Sequence, residues 1–264
     1  FDDLITVQIK EPLREKRIQN SIRSLGKISN IVSKKVRDQY EKNPYPRWKY
    51  TYAKLPSHFL LKLNNQIRPN KIKIENKFNN PNVLIAGCGT GRHICIAKDY
   101  LNANILGVDL SLSSLAYAKR KTEELGFDNI EYLNADILEL NKLTRKFDII
   151  ECIGVLHHMK EPLKGLKILL DLLEPHGLLK IGLYSEKARH HISEVRKFIK
   201  KNKFKNIIED IRKCREKIFE KKNNKIFDKI INRRDFYSTS SARDLMFHVQ
   251  EHCFNLPRLS EIIL

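Results

Sequence analysis

The sequence predicts an α/β fold: a mostly parallel sheet with helices on both faces, a helical extension ahead of it and a helical cap behind it. Two observations carry this. Between residues 79 and 185, five short runs rich in Val, Ile and Leu (PNVLIAG, ANILGVDL, IEYLNAD, FDIIECIG and GLLKIGLYS) alternate with helical stretches such as SLSSLAYAKRKTEELG and EPLKGLKILLDLLEP. Strands separated by helices pair in parallel through right-handed crossovers, which leave helices on both faces. On either side of this block the alternation stops, and apolar residues recur at helical spacing instead.

The first block, residues 1–78, is expected to be helical. Ile18, Ile22, Leu25, Ile28, Val32 and Val36 recur every three or four positions, the spacing of a core-facing stripe. Asn43, Pro44 and Pro46 break the pattern, because proline has no N–H to continue a helix. Tyr45, Arg47 and Trp48 therefore fall on a loop, ahead of a short helix around HFLLKL. The second block, 79–185, carries the five strands. The third, 186–264, opens on a basic amphipathic helix or helix pair marked by Ile192, Val195, Ile199, Ile207, Ile211, Cys214 and Ile218. It ends inside the apolar run LPRLSEIIL, and the chain begins without Met, so the sequence reads as a fragment.

Composition excludes several classes. Of 264 residues 41% are apolar, yet no stretch approaches the roughly 20 apolar residues of a membrane span. The first residues, FDDLITVQIKEPLREKR, are too charged for a secretory signal. Five cysteines, with no CxxC pair and no ligand-like spacing, point to a reducing, cytoplasmic compartment and no structural metal. The net charge of +19 is uneven: residues 1–78 hold 18 basic and 7 acidic side chains, 79–185 hold 12 and 13, and 196–234 hold 16 and 5. Basic flanks attract nucleic acid, anionic membrane surfaces or acidic substrates, but a Lys-, Ile- and Asn-rich composition gives the same charge without any partner.

Chemistry concentrates after the first strand of the middle block. Gly87, Cys88, Gly89, Thr90 and Gly91 lead into a helix, and glycines at alternate positions let the main chain approach a ligand closely. A helix start offers free N–H groups to a carboxylate or phosphate. Asp109 ends the second strand, 18 residues after Gly91, where a carboxylate can accept from both hydroxyls of a ribose. The spacing is GxGxG and lacks the GxGxxG pattern that seats a pyrophosphate, so a nucleoside with a carboxylate fits better than a dinucleotide.

VLIAGCGTG, GVDLS, NADI and FDIIECIGVLHHM, in this order and spacing, resemble the class I S-adenosylmethionine-dependent methyltransferases over about residues 80–184. The resemblance implies a Rossmann-like, doubly wound sheet, here of five strands with the family's terminal antiparallel hairpin missing. It makes Gly87, Cys88, Gly89, Thr90 and Gly91 the methionine-side loop, Asp109 with Leu110 the ribose site, Asp136 with Ile137 the adenine edge, and Cys152, Ile153 and Gly154 the wall after the fourth strand. The implied cofactor is S-adenosyl-L-methionine, leaving as S-adenosyl-L-homocysteine. Ile85 departs from the pattern, for the family usually has an acid two residues before the first glycine. The flanking VRDQYEKNPYPRW and RDFYSTSSARDLMFHVQEH are similar to methyltransferase domains attached to tetratricopeptide repeats in bacterial proteins, which would place such a segment upstream.

Methyl transfer from a sulfonium is an in-line displacement, so the protein's main work is alignment in a dry pocket. His157 and His158, with Tyr184 at the end of the fifth strand, are candidates to take a proton from a small-molecule or protein acceptor; Glu151 and Met159 lie beside them in sequence. Tyr40, Tyr45, Arg47 and Trp48 are expected to close over the cofactor, and Arg234 and Tyr237 to cover the acceptor. Packing and capping account for most of these residues equally well. Asn43–Pro46 is similar to the NPPY box of enzymes that methylate amino groups of nucleic acids, but that box follows the fourth strand, where this chain has ECIGVLHH. A nucleic-acid methyltransferase using the basic flanks, and a non-catalytic module keeping the fold, are the competing readings.

Overall fold

The five Val-, Ile- and Leu-rich runs form strands, and a sixth, two-residue strand joins them from the N-terminal extension. The computed structural model describes residues 1–51, 56–72, 78–127 and 129–263. The strands are β1 (Arg23–Ser24), β2 (Asn82–Ala86), β3 (Asn104–Asp109), β4 (Ile130–Asn134), β5 (Phe147–Ile153) and β6 (Leu173–Gly182). They lie in the order β1-β4-β3-β2-β5-β6 and every pairing is parallel. This is the doubly wound, Rossmann-like arrangement, reversing direction between β2 and β5. No antiparallel pair occurs among the described residues, and β6 stands at one edge. The sixth strand was not expected: Arg23 pairs with Leu133, and Leu25 N–H donates to Asn134 O at 3.0 Å, so the extension covers the edge of β4.

The helices are α1 (Asp2–Ile5), α2 (Glu11–Gln19), α3 (Ile31–Lys42), α4 (Phe59–Gln66), α5 (Arg92–Ala97), α6 (Leu112–Glu124), α7 (Pro162–Asp171), α8 (Glu186–Lys201), α9 (Ile208–Glu220), α10 (Lys225–Ile231), α11 (Thr239–Met246) and α12 (Leu256–Ile263). Side-chain caps set several starts: Asn30 accepts from Val32 N–H at 2.8 Å, Ser111 from Ser114 N–H at 3.0 Å and Ser238 from Ser241 N–H at 3.0 Å. The stripe from Ile18 to Val36 is not one helix. Between α2 and α3 the chain runs through β1 and Gly26, whose φ of 69° lies outside the helical region, before Asn30 restarts the helix.

The chain divides into two compact units, residues 1–156 with 160–182, and residues 157–159 with 183–264. Each has its own apolar core. In the first, Val83, Ile85, Ile94, Ile105, Leu115 and Ile149 pack with Phe59 and Tyr100. In the second, Ile192, Val195, Ile211, Cys214, Ile218, Ile230, Phe236 and Met246 do so, matching the apolar stripe of the basic helices. Each large aliphatic or aromatic side chain taken out of water contributes about 1.5–3 kcal/mol.

An ion cluster fixes α2 to α6. The Arg120 side chain, 1% exposed, reaches Glu15 at 2.9 Å, Glu11 at 3.1 Å and Glu124 at 2.6 Å. Removing the cation takes away the group that Glu11, Glu15 and Glu124 share, and leaves Glu15 and Glu124 only their more exposed partners Arg47 and Lys121. Arg120→Met is expected to lower stability by about 3 kcal/mol in urea denaturation, and adding Glu15→Gln to recover part of that loss. An unchanged midpoint for Arg120→Met would show that the cluster contributes nothing.

Candidate functional site

The first unit builds its site where the strand order reverses, the crevice in which open α/β sheets bind ligands. The turn after β2 is held against β3: the N–H groups of Gly87 and Cys88 both donate to Val108 O, at 2.8 and 2.9 Å. Gly87 and Gly91 have φ of 78° and 84°. A Cβ on Gly87 would stand 2.3 Å from the Val155 side chain, and one on Gly91 2.7 Å from Ala118, so close packing as well as backbone conformation demands glycine.

Asp109 closes the turn. Its Oδ2 accepts from Gly89 N–H at 2.8 Å and its Oδ1 from Ser111 N–H at 2.9 Å. Burial pushes this carboxyl up to about 6; the Ser111 and Gly89 N–H groups oppose the rise and the nearby Glu41 charge adds to it. Asn134 braces the same corner, donating to the carbonyls of Asp109 and Leu110 at 3.0 and 2.8 Å. Asp136 is buried and accepts from Leu138 N–H at 3.0 Å, which caps the short helical turn Ile137–Lys142. Cys152 is buried in β5, while Gly154 is exposed with φ of 80° and open space where a Cβ would project. Burial raises the thiol of Cys88 well above its ordinary value and that of Cys152 to about 12, so neither is a nucleophile near neutrality.

A strap from the N-terminal extension lies against this turn. Trp48 Nε1–H donates to Thr90 O at 2.9 Å, the Thr90 hydroxyl to Pro46 O at 2.5 Å, and the Tyr117 hydroxyl to Trp48 O at 2.5 Å. The Tyr45 carbonyl oxygen would lie 3.7 Å from a Cβ on Gly89. Arg47 pairs with Glu15 at 2.9 Å and stands 5.1 Å from the Tyr117 ring centre, so its charge is engaged within the protein. Tyr40 is half-buried on α3. The sequence reading missed Glu41, whose carboxylate accepts from Leu112 N–H at 2.6 Å, Ser113 N–H at 3.0 Å and the Ser113 hydroxyl at 2.5 Å. It anchors the strap to the start of α6, a link that no local motif announces.

His157, His158 and Tyr184 come together in the second unit. Tyr184 stacks on His157 at 3.6 Å and His158 stacks on His248 at 3.5 Å. The Arg189 guanidinium lies 3.8 Å from the Tyr184 ring centre and pairs with Glu251 through bonds of 3.0 and 2.5 Å. His158 and His248 each bond Gln250 O through Nδ1, at 2.6 and 2.9 Å. Neither ring nitrogen of the fully buried His157 has a hydrogen-bond partner among the described residues. Burial is the leading cause of all three lowered values: His157 and His248 fall to about 2, with the neighbouring His158 adding to the fall, whereas His158 falls only to about 4 because the Gln250 carbonyl and the Glu251 charge oppose it. Arg234 and Tyr237 lie elsewhere in this unit. Both are exposed, with Tyr237 edge-on to Phe236 and Phe219.

The methyltransferase-domain family matches residues 77–235. The chain belongs to this methyltransferase family. An uncharacterised protein of Synechococcus is 36% identical over 125 residues, 45% of this chain and 29% of that protein. A ubiquinone biosynthesis O-methyltransferase of Coxiella burnetii is 35% identical over 120 residues, 45% of this chain and 50% of the enzyme. Among solved structures, PKMT2 from Rickettsia typhi in complex with AdoHcy aligns with a TM-score of 0.63 at 21% identity, over 83% of this chain and 44% of that one, a likeness of fold. The chain spans half or less of the length of each of these three relatives.

The three buried histidines generate a pH dependence. Their folded values lie below the ordinary 6.5, so the unfolded chain binds protons first on acidification and stability is lost as pH falls from about 6.5, towards 4 for His158 and towards 2 for His157 and His248. Each histidine contributes up to about 1.4 kcal/mol per pH unit; the raised Asp109 works in the opposite sense. Guanidinium unfolding at pH 7 and pH 5 should show a clear loss at pH 5, and His248→Phe a shallower one. Equal stability at both pH values would contradict burial of neutral histidines.

Proposed function

We propose that the chain transfers a methyl group from S-adenosyl-L-methionine to a small-molecule or protein acceptor. The observation that carries this reading is the contact between Gly89 N–H and Asp109 at the point where the sheet reverses, within a chain of the methyltransferase family. The cradle suits a nucleoside: a carboxylate for two ribose hydroxyls, a glycine turn too tight for side chains, and open space at Gly154. When bound, S-adenosyl-L-methionine supplies a methyl on a sulfonium, which makes it electrophilic, and leaves as S-adenosyl-L-homocysteine.

In this reading Asp109 with Leu110 binds the ribose, Gly87–Gly91 face the methionine portion, Asp136 and Ile137 border the adenine, and Cys152, Ile153 and Gly154 form the remaining wall. Tyr40, Tyr45, Arg47 and Trp48 belong to the strap that shields the turn from water, which would otherwise weaken alignment and electrostatic guidance. His157, His158 and Tyr184 act on the acceptor side. Imidazoles lowered to about 2 and 4 hold protons weakly, which favours contact and orientation over proton abstraction. Arg234 and Tyr237 are assigned to acceptor contact. A nucleic-acid acceptor is less favoured. Of Phe198, Phe204 and Phe219 along the basic helices, the first two pack against the apolar core of their unit, whereas Phe219 is exposed, contrary to its place on the apolar stripe, and stands edge-on to Phe236 and Tyr237; one exposed ring of the three makes a poor stacking platform.

Calorimetry tests the proposal. The protein is expected to bind S-adenosyl-L-methionine with an affinity that rises between pH 5 and 7, as Asp109 ionises, and levels off above. Asp109→Asn should weaken binding by about 10- to 100-fold, the loss of hydrogen bonds to a charged acceptor, and flatten the pH profile. Isotopically labelled methyl donor in a cell extract, read by mass spectrometry, then identifies the acceptor. A folded protein that binds no S-adenosyl-L-methionine would overturn the proposal in favour of a non-catalytic module.

A further inference from the structure

The helical run from α1 through α2 carries its side chains inside out. The face towards α6 holds Glu11 and Glu15, which pair with Arg120, and the half-buried Ile18. Away from α6 stand Ile5, Ile9 and Leu13, with Phe1 just ahead of them, and all four are exposed: 53% of Ile9 and 53% of Leu13, against 8% of Glu15. A solvated surface helix has the reverse arrangement, with its apolar stripe turned in. Residues four apart also do not stay in line along an α-helix, since each step of four overshoots a turn by about 40°. Here the turn Thr6–Lys10 between α1 and α2 is a π-helix, closed by Glu11 N–H donating to Thr6 O five residues back. The wider turn takes up that overshoot and keeps Phe1, Ile5, Ile9 and Leu13 on one side of the helix over about 20 Å.

A contiguous exposed apolar stripe marks an interaction surface, and the charges beside it choose the partner. Asp2 and Asp3 lie at one end, and Lys10, Lys16 and Arg17 lie towards the other. All five are exposed, and none of them has an ion pair among the described residues, whereas Arg14 is engaged with Glu123 at 2.8 Å. The two aspartates beside Phe1 would be repelled by an anionic lipid surface or a nucleic acid. A second copy of the chain fits instead. Laid antiparallel, it sets acid against base at both ends of the stripe, while a parallel copy sets like against like. The same surface then serves both copies about a two-fold axis.

We infer that the stripe of Phe1, Ile5, Ile9 and Leu13 is the face of an antiparallel, two-fold dimer of this chain, with Asp2 of each copy across from Lys10 of the other. A stripe of this length buries less than the roughly 1,000 Å² of a lasting interface, so the pair forms reversibly. The surface is separate from the glycine turn and does not depend on methyl transfer.

Sedimentation equilibrium of the whole chain up to about 1 mM tests this, with half-association expected near about 0.1 mM, the weak end of specific pairing. Ile9→Asp, at an exposed position, should abolish the dimer. Lys10→Glu should weaken it about tenfold, because two facing pairs in each dimer turn from attractive to repulsive, and adding Asp2→Lys should restore it. A wild-type chain that stays monomeric at about 1 mM would overturn the inference and leave the stripe to an unlike partner. A dimer indifferent to Ile9→Asp would overturn it too, since it forms through another surface, and so would one indifferent to Lys10→Glu, since its helices do not run antiparallel. Should a variant fail to fold, hydrogen exchange of the wild-type chain at low and high concentration still decides: protection gained at high concentration is expected within residues 1–13, and protection gained only elsewhere would refute the assignment.

Discussion

The first unit is organised around one hydrogen bond, from the Gly89 amide to the Asp109 carboxylate. It joins the turn after β2 to the end of β3, the two pieces of backbone from which the proposed nucleoside site is built. Side-chain volume at Gly87 and Gly91 would push the turn out of reach of that carboxylate. The strap through Trp48, Pro46 and Thr90, and the Glu41 anchor on α6, press on the same corner from outside. The Glu41 charge also helps to keep Asp109 less acidic than an ordinary aspartate, so one side chain both fastens the strap and tunes the carboxyl beneath it.

Legibility in the sequence followed the range of the interaction. Strand and helix alternation, the glycine spacing and Asp109 are local or nearly so, and they placed the sheet and its turn without further help. The Ile18–Val36 stripe misled because periodicity alone ignores a Gly26 with positive φ and a fresh N-cap at Asn30. β1 was invisible for a related reason: two residues carry no pattern, and their strand exists because Asn134 and Leu133 lie beside them. Glu41 and the Arg120 cluster join segments far apart in sequence, and charged residues on helix faces usually read as solvated. His157 and His158 read as reactive groups, but burial lowers their basicity, and the order of residues does not display burial.

Buried polar chemistry is handled differently in the two units. In the first, charges are retained and matched: Arg120 against three glutamates, Lys62 against Asp99, Glu151 against Tyr100 and Lys180. In the second, the imidazoles are stripped of charge and stacked face to face, with Arg189 and Glu251 as the charged pair beside them. Matched charges hold segments in register, whereas stacked neutral rings leave proton uptake as the route by which the assembly is loosened.

The second unit is discontinuous in sequence, because residues 157–159 belong to it while the chain returns to the sheet for 160–182 before rejoining it at Leu183. A polypeptide cut at that last junction would leave behind His157, against which Tyr184 lies flat, and the backbone oxygen that receives His252 N–H at 2.7 Å. The second unit is thus no single stretch of chain: an excision that spares 157–159 leaves it without a part of its own packing.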